Sequence, residues 1–278
     1  MFNLNTSTEK TREINKMAKK IAIMNEKGGV GKTATATTTS YLLTQLGFNT
    51  LLIDFDGQAN STIINGMNPN NIEITISTLI NNVLEEKPLP DDYIMKNENG
   101  VHFIPANSEL FKLERTLCNV PFSEYTLATV ISHFEDKYDY IIIDCMPQMG
   151  TPSINVLMCT DEIIIPTQPQ LLSVHGLNEL INHINLVKKR KADLVISGIL
   201  ITMDEKNTNL SVYTINEINR IFGKEINIFK AIIPKSIKVA EACLHKKTIC
   251  EFLPGNPAAI AYDAFVTELL ELHGEGGR

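Results

Sequence analysis

From Lys20 onward the chain alternates short, β-branched apolar runs with longer amphipathic stretches. The apolar runs fall at 21–24, 50–53, 101–104, 140–143, 162–165, 195–201 and 229–233. Runs that are apolar at nearly every position belong to strands covered on both faces, and helical stretches between them imply parallel crossovers. In the intervening stretches Leu177, Leu180, Ile181, Ile184 and Val187 recur at helical spacing, as do Ala261, Phe265, Leu269 and Leu272. These mark the core-facing stripes of two helices. The pattern predicts an α/β fold: a single doubly wound domain with a mostly parallel central sheet of about seven or eight strands flanked by helices. No internal repeat or low-complexity linker divides it. The domain is expected over 19–273, with a flexible Asn/Thr/Lys-rich leader over 1–18 and a polar tail over 274–278.

Composition narrows the class without changing that picture. The 278 residues are 44% hydrophobic and 21% charged, with a net charge of −7, which excludes fibrous and disordered classes. No apolar stretch approaches the roughly 20 residues of a transmembrane helix. Met1 to Lys20 is polar and lysine-bearing and so does not read as a signal peptide; a cytoplasmic location is expected. Five cysteines without CxxC spacing (Cys118, Cys145, Cys159, Cys243, Cys250) suit reduced thiols. Cys243, His245 and Cys250 lack the tight paired spacing of a structural zinc site.

The chemistry concentrates directly after the first strand, in Lys27-Gly28-Gly29-Val30-Gly31-Lys32-Thr33, followed by an Ala/Thr-rich helical stretch. Glycines at these positions let consecutive N–H groups converge on an anion at a helix N-terminus. In a phosphate-binding loop of this kind Lys32 bridges the β- and γ-phosphates and the Thr33 hydroxyl ligates Mg²⁺. Farther along, Asp54 and Asp56 close the second strand at i and i+2, on one side of it. Asp144 ends the hydrophobic run of 140–143, where a buried strand fixes a carboxylate that holds Mg²⁺ through water.

With Glu26 in place of the usual first glycine and the extra Lys27 at the loop entrance, this is the deviant form of the Walker A motif, and the chain resembles the ParA/MinD family of nucleotide-switch ATPases. Asp54 to Asn60 resembles the family's DxDPQGN motif, with Gly57 in the proline position and Ala59 in the glycine position. The segments 138–150, 166–177, 202–211 and 229–242 resemble the motifs that follow, in order, and place the chain nearest the ParA/Soj partition branch. The resemblance implies ATP and Mg²⁺ as cofactors. It implies nucleotide contacts from Glu26, Lys27, Gly28, Gly29, Val30, Gly31, Lys32, Thr33, Ala34, Met203 and Pro234, and places Asp54 near the metal with Thr33 and Asp144. Lys27, Lys32 and Asp56 are the implied catalytic groups: Asp56 positions the attacking water, and Lys27 reaches across a nucleotide-sandwich homodimer.

The branch sets the expected partners. The C-terminal stretch 267–275 is acidic and would be repelled by anionic lipid, so no membrane partner is expected. Cluster-bearing relatives need cysteine pairs that this chain lacks. Partition ATPases bind double-stranded DNA non-specifically, which opposes the overall acidity, yet six lysines against two glutamates between Lys224 and Lys247 make a basic island. Lys188-Lys189-Arg190-Lys191 makes a second one. The resemblance puts DNA contacts at Lys235, with Lys238, Lys246 and Lys247 nearby, while Asn207 stands where the family carries an arginine. Only some eighteen residues precede the first strand, so the operator-binding role of longer members is not expected. The function expected is an ATPase, nucleoid-associated in its ATP state, that drives plasmid or chromosome partition and is stimulated by a ParB-like centromere-binding protein. The alternatives are a positioning ATPase for a non-DNA cargo and a synthetase with an added small-molecule pocket.

Overall fold

The computed structural model describes residues 17–276 except 171, 206 and 207. Eight strands form one sheet: β1 (Lys19–Ile23), β2 (Thr50–Phe55), β3 (Met95–Lys96), β4 (His102–Ile104), β5 (Tyr140–Cys145), β6 (Glu162–Thr167), β7 (Val195–Asp204) and β8 (Ile228–Pro234). Their spatial order is β3-β4-β2-β5-β1-β6-β7-β8. Every neighbouring pair is parallel except β3 against β4. The seven strands expected from the apolar runs are all present. The eighth, β3, is two residues long and carries no apolar run.

The helices are α1 (Lys32–Gln45), α2 (Asn60–Ile64), α3 (Ile76–Leu84), α4 (Leu110–Leu117), α5 (Thr126–Ser132), α6 (Thr151–Cys159), α7 (Ser173–Lys188), α8 (Asn209–Phe222), α9 (Ile237–Leu244), α10 (Ile249–Phe252) and α11 (Pro257–Leu272). Because side chains alternate across a strand, Ile141 and Ile143 of β5 enter one core with residues of α3 to α8, whereas Tyr140 and Ile142 enter the other with α1, α10 and α11. The second core is closed by Phe265 of α11, which meets Phe229 of β8 edge to face at 4.8 Å. That geometry contributes about 0.5–1.5 kcal/mol beyond burial. Leu272 departs from the expected stripe: it is exposed, and the buried face of α11 runs instead through Tyr262, Phe265, Val266, Leu269 and Leu270.

Helix α1 is buried on most sides and rich in threonine, so its hydroxyls need partners inside the protein. Thr37, Ser40 and Thr44 donate to the carbonyls of Thr33, Ala36 and Ser40 at 2.7, 2.9 and 2.8 Å, which lets a polar helix sit in a core. The polar segment after α11 is anchored where it begins. Tyr140 Oη donates to Glu275 Oε2 at 3.0 Å, and His273 Nε2 lies 2.9 Å from Glu162 Oε2. Residues 1–16, the bulk of the expected leader, lie outside the described residues, as do 277 and 278. Cys145 and Cys159 are buried free thiols, as core residues should be.

Candidate functional site

Strand order fixes where the site falls. From β1 the chain winds outward to β2 on one side, and from β5 it crosses to β6 on the other, so the carboxyl end of β1 is the topological switch point, where open α/β sheets bind ligands. The glycine loop leaves β1 there. Gly29 and Gly31 have φ of +72° and +87°, a region that glycine adopts without strain, and Gly31 caps α1. The loop is held from three directions. Asn25 accepts the Lys27 N–H at 2.9 Å and donates to Pro166 O. Thr202 donates to Val30 O, and Gln168 to Gly29 O. Met203, itself in the left-handed region with φ of +52°, accepts a contact from Gln168 on its Sδ. Pro234 pairs with Asp204 across β7 and β8. No role is assigned from the sequence to Asn25, next to the loop in the chain, nor to Gln168 and Thr202, whose motif segments reach the loop only through the folded sheet.

Four charged groups meet beneath the loop. Lys32 is 7% exposed, and Asp54, Asp56 and Asp144 are 1%, 8% and 1% exposed. Lys32 Nζ donates to Lys27 O at 3.0 Å, so it spans the loop mouth. Burial lowers the Lys32 pKa, with the Asp144 and Asp56 carboxylates opposing that shift. Asp54 and Asp144 pair in register on β2 and β5. Burial pushes both carboxyls above the usual range, and the Asp144 charge adds to this at Asp54. At Asp144 the Ser61 hydrogen bond, the nearby Thr33 hydroxyl and Lys32 act in the other direction. Three carboxyls beside one ammonium carry more acid than base in a buried place, so burial favours the protonated carboxyls, and an added cation would favour their ionised forms.

The carboxylates divide the work. Asp54 Oδ2 accepts the Thr62 N–H and hydroxyl at 2.8 and 2.7 Å, and its Oδ1 accepts the Asp56 N–H at 3.3 Å. Asp54 therefore holds the start of α2. Asp144 Oδ2 accepts the Ser61 hydroxyl at 2.7 Å, but its Oδ1 is buried with no hydrogen-bond partner among the described residues. A buried carboxylate oxygen left over beside a threonine hydroxyl suits a hard cation that keeps most of its water. Among the described residues no three His, Cys, Asp or Glu side chains are grouped to hold a metal alone, and this includes Cys243, His245 and Cys250. Asp56 Oδ1 accepts the Gln58 N–H at 2.9 Å, and the residue is buried.

Lys27 is exposed, its Nζ 2.5 Å from Gln170 Oε1, and so faces outward from the loop that Lys32 closes from within. Glu26 pairs with His183 Nδ1 at 2.7 Å. Ala34 lies in the first turn of α1. The lysines expected to contact DNA are on the surface, each with a neighbour: Lys235 with Glu205, Lys238 with Glu241, Lys247 with Glu251, and Lys246 with Gly66 O at 3.2 Å. Asn207 lies outside the described residues. No helix among the described residues is long and apolar enough to cross a membrane.

A glycine loop with an inward lysine at the switch point of a parallel sheet, beside acidic strand ends, defines a P-loop nucleotide-binding domain. Comparison with known proteins agrees. The AAA domain family matches residues 18–196. The sporulation initiation inhibitor protein Soj of Bacillus subtilis is 33% identical over 247 residues, covering 88% of this chain and 96% of Soj. The chromosome partitioning protein ParA of Myxococcus xanthus is 31% identical over 252 residues, covering 90% and 87%. Among solved structures, cobyrinic acid a,c-diamide synthase from Mycobacterium smegmatis with bound ADP and magnesium superposes with a TM-score of 0.80 at 27% identity, covering 94% of this chain and 97% of that one. The chain belongs to the AAA domain family, within its ParA/Soj group.

Proposed function

We propose that this chain is a Mg-ATP-dependent dimerising ATPase that binds DNA non-specifically and drives partition of a plasmid or chromosome. The observation that carries the reading is the division of labour between two loop lysines: Lys32 buried near the Asp144 and Asp56 carboxylates, Lys27 exposed at the entrance. Lys32 and the loop N–H groups bind the terminal phosphates. Lys27, released from Gln170, reaches the nucleotide of a second copy and completes a sandwich homodimer. Asp56 orients the attacking water. Thr33 and Asp144 Oδ1 fit a magnesium ion, and Asp54 keeps α2 and the Asp56 loop in place. Charge neutralisation at the phosphates is what the bound ion supplies. The likeness to Soj and ParA over most of the chain supports partition as the task, with DNA as the track and a ParB-like centromere-binding protein as the stimulating partner.

DNA binding competes with the ion pairs that Lys235, Lys238 and Lys247 make within the protein. Exposed pairs of this kind contribute about 0–1 kcal/mol, so phosphates can displace the carboxylates. Binding to random-sequence duplex DNA with ATP, ADP or no nucleotide tests the reading, beside a Lys235→Ala, Lys238→Ala, Lys246→Ala variant. The expected result is ATP-specific binding that the variant loses, each missing phosphate contact lowering the slope of log affinity on log salt by about 0.9. Absence of DNA binding in every nucleotide state, with ATP-dependent dimers still forming, would assign the switch to a non-DNA cargo.

A further inference from the structure

Helix α4 carries two distinct stripes. Leu110, Leu113 and Leu117 are buried in the core. Phe111, Glu114 and Cys118, at i, i+3 and i+7, share the adjoining face, and each meets a loop of the nucleotide site. The Phe111 ring covers Gly57, the residue after Asp56, so closely that a Cβ on Gly57 would lie 2.8 Å from the ring. Gly57 is buried beneath it, although Phe111 itself is 53% exposed. Glu114 places its carboxylate directly against Gly150, where a Cβ would collide with Oε1. Cys118 Sγ lies 3.1 Å from Thr151 Oγ1, at the start of α6. Gly150 closes the loop that leaves β5 just beyond Asp144 and caps α6. One face of one helix thus bears on the loop after Asp56 and on the loop after Asp144. Both close approaches need a residue without a side chain.

We propose that Phe111 and Glu114 are positioning residues for nucleotide turnover: α4 clamps the two loops that carry the acidic groups and fixes where Asp56 stands. The inference rests on the reading of the chain as an ATPase. Neither side chain is among the groups assigned to the nucleotide or the metal. Each acts through a glycine, so the effect falls on the geometry of the reacting state more than on nucleotide binding. A small displacement of a water-positioning carboxylate is enough to slow turnover by about tenfold or more.

Steady-state hydrolysis and hydrogen exchange on the full chain test the clamp. Phe111→Ala and Glu114→Ala should each lower kcat about tenfold with KM for ATP within about twofold, and Phe111→Leu should keep most of the rate. Gly57→Ala, which pushes the ring off its seat, should slow turnover alone and add nothing to Phe111→Ala, as expected for two halves of one contact. Independently of hydrolysis, amide exchange should quicken over 57–62 in Phe111→Ala and over 147–151 in Glu114→Ala, with β8 and α11 unchanged. Parental kcat in both Ala variants, additive effects of Gly57→Ala and Phe111→Ala, or exchange that rises throughout the molecule would overturn the proposal. If the parental chain hydrolyses no ATP, the ATPase reading fails, and the exchange pattern alone decides whether α4 holds the two loops.

Discussion

Thr62 shows how single atoms hold the site together. Its hydroxyl donates to Asp54 Oδ2 at 2.7 Å and accepts the Ala106 N–H at 2.9 Å, both inside the protein. Thr62→Val keeps the shape and leaves a buried N–H and a carboxylate oxygen short of a partner, so the expected cost is about 1–3 kcal/mol. Urea unfolding should show a lower midpoint with an unchanged slope; a midpoint equal to the parent's would contradict this account of Asp54. The neighbouring departures from the family motif differ in their local setting. A side chain at position 57 would strike Phe111. Ala59, where the family carries glycine, has φ of +56° and caps α2. An L-residue in that region costs about 1–2 kcal/mol, which the buried contacts around Ala59 must offset.

At the scale of elements, the clearest electrostatic construction lies at the opposite end of the sheet from the nucleotide loop. Glu162 of β6 receives hydrogen bonds from His273, just past α11, and from Ser197 of β7, and pairs with Lys19 of β1. Tyr140 and Glu275 complete the cluster. Burial alone would raise the Glu162 pKa; the hydrogen bonds from His273 and Ser197 and the charges of His273 and Lys19 bring it down to about 2. A depressed carboxylate stabilises the fold fully above its unfolded value of about 4.3, and that contribution is lost as pH falls toward 2. Glu162→Gln should therefore be less stable than the parent at neutral pH and flatter in stability across the acid range. Parallel pH profiles for the two proteins would refute the assignment. The same scale shows what could be read from sequence. The parallel strands were legible because burial on both faces makes their central residues apolar in unbroken runs. Strand β3 was not, since two residues on an edge leave no period. The loop residues Gly28 to Thr33 were legible because phosphate binding is local in sequence. Ser61, Gln168 and the glycine-facing stripe of α4 were not, because their roles depend on contacts made only after folding.

For the whole molecule, the arrangement suits the proposed switch. The nucleotide site lies at the sheet's switch point, Lys27 is exposed at its entrance, and the loops after Asp56 and Asp144 sit under α4. On the proposed reading, the exposed Lys27 of one copy completes the nucleotide site of the other. On the same reading, a net charge of −7 with a basic island between Lys224 and Lys247 would direct DNA to one face and away from the rest. The central claim, that ATP closes a dimer which Asp56-dependent hydrolysis reopens, is tested most directly by light scattering and phosphate release on the parent and on Asp56→Ala. The account predicts that ATP, and not ADP, dimerises both proteins, that the parent returns to monomer as ATP is consumed, and that the variant stays dimeric with turnover about 10²-fold lower. Hydrolysis by Asp56→Ala at the parental rate, or a parent that stays monomeric with ATP, would contradict it.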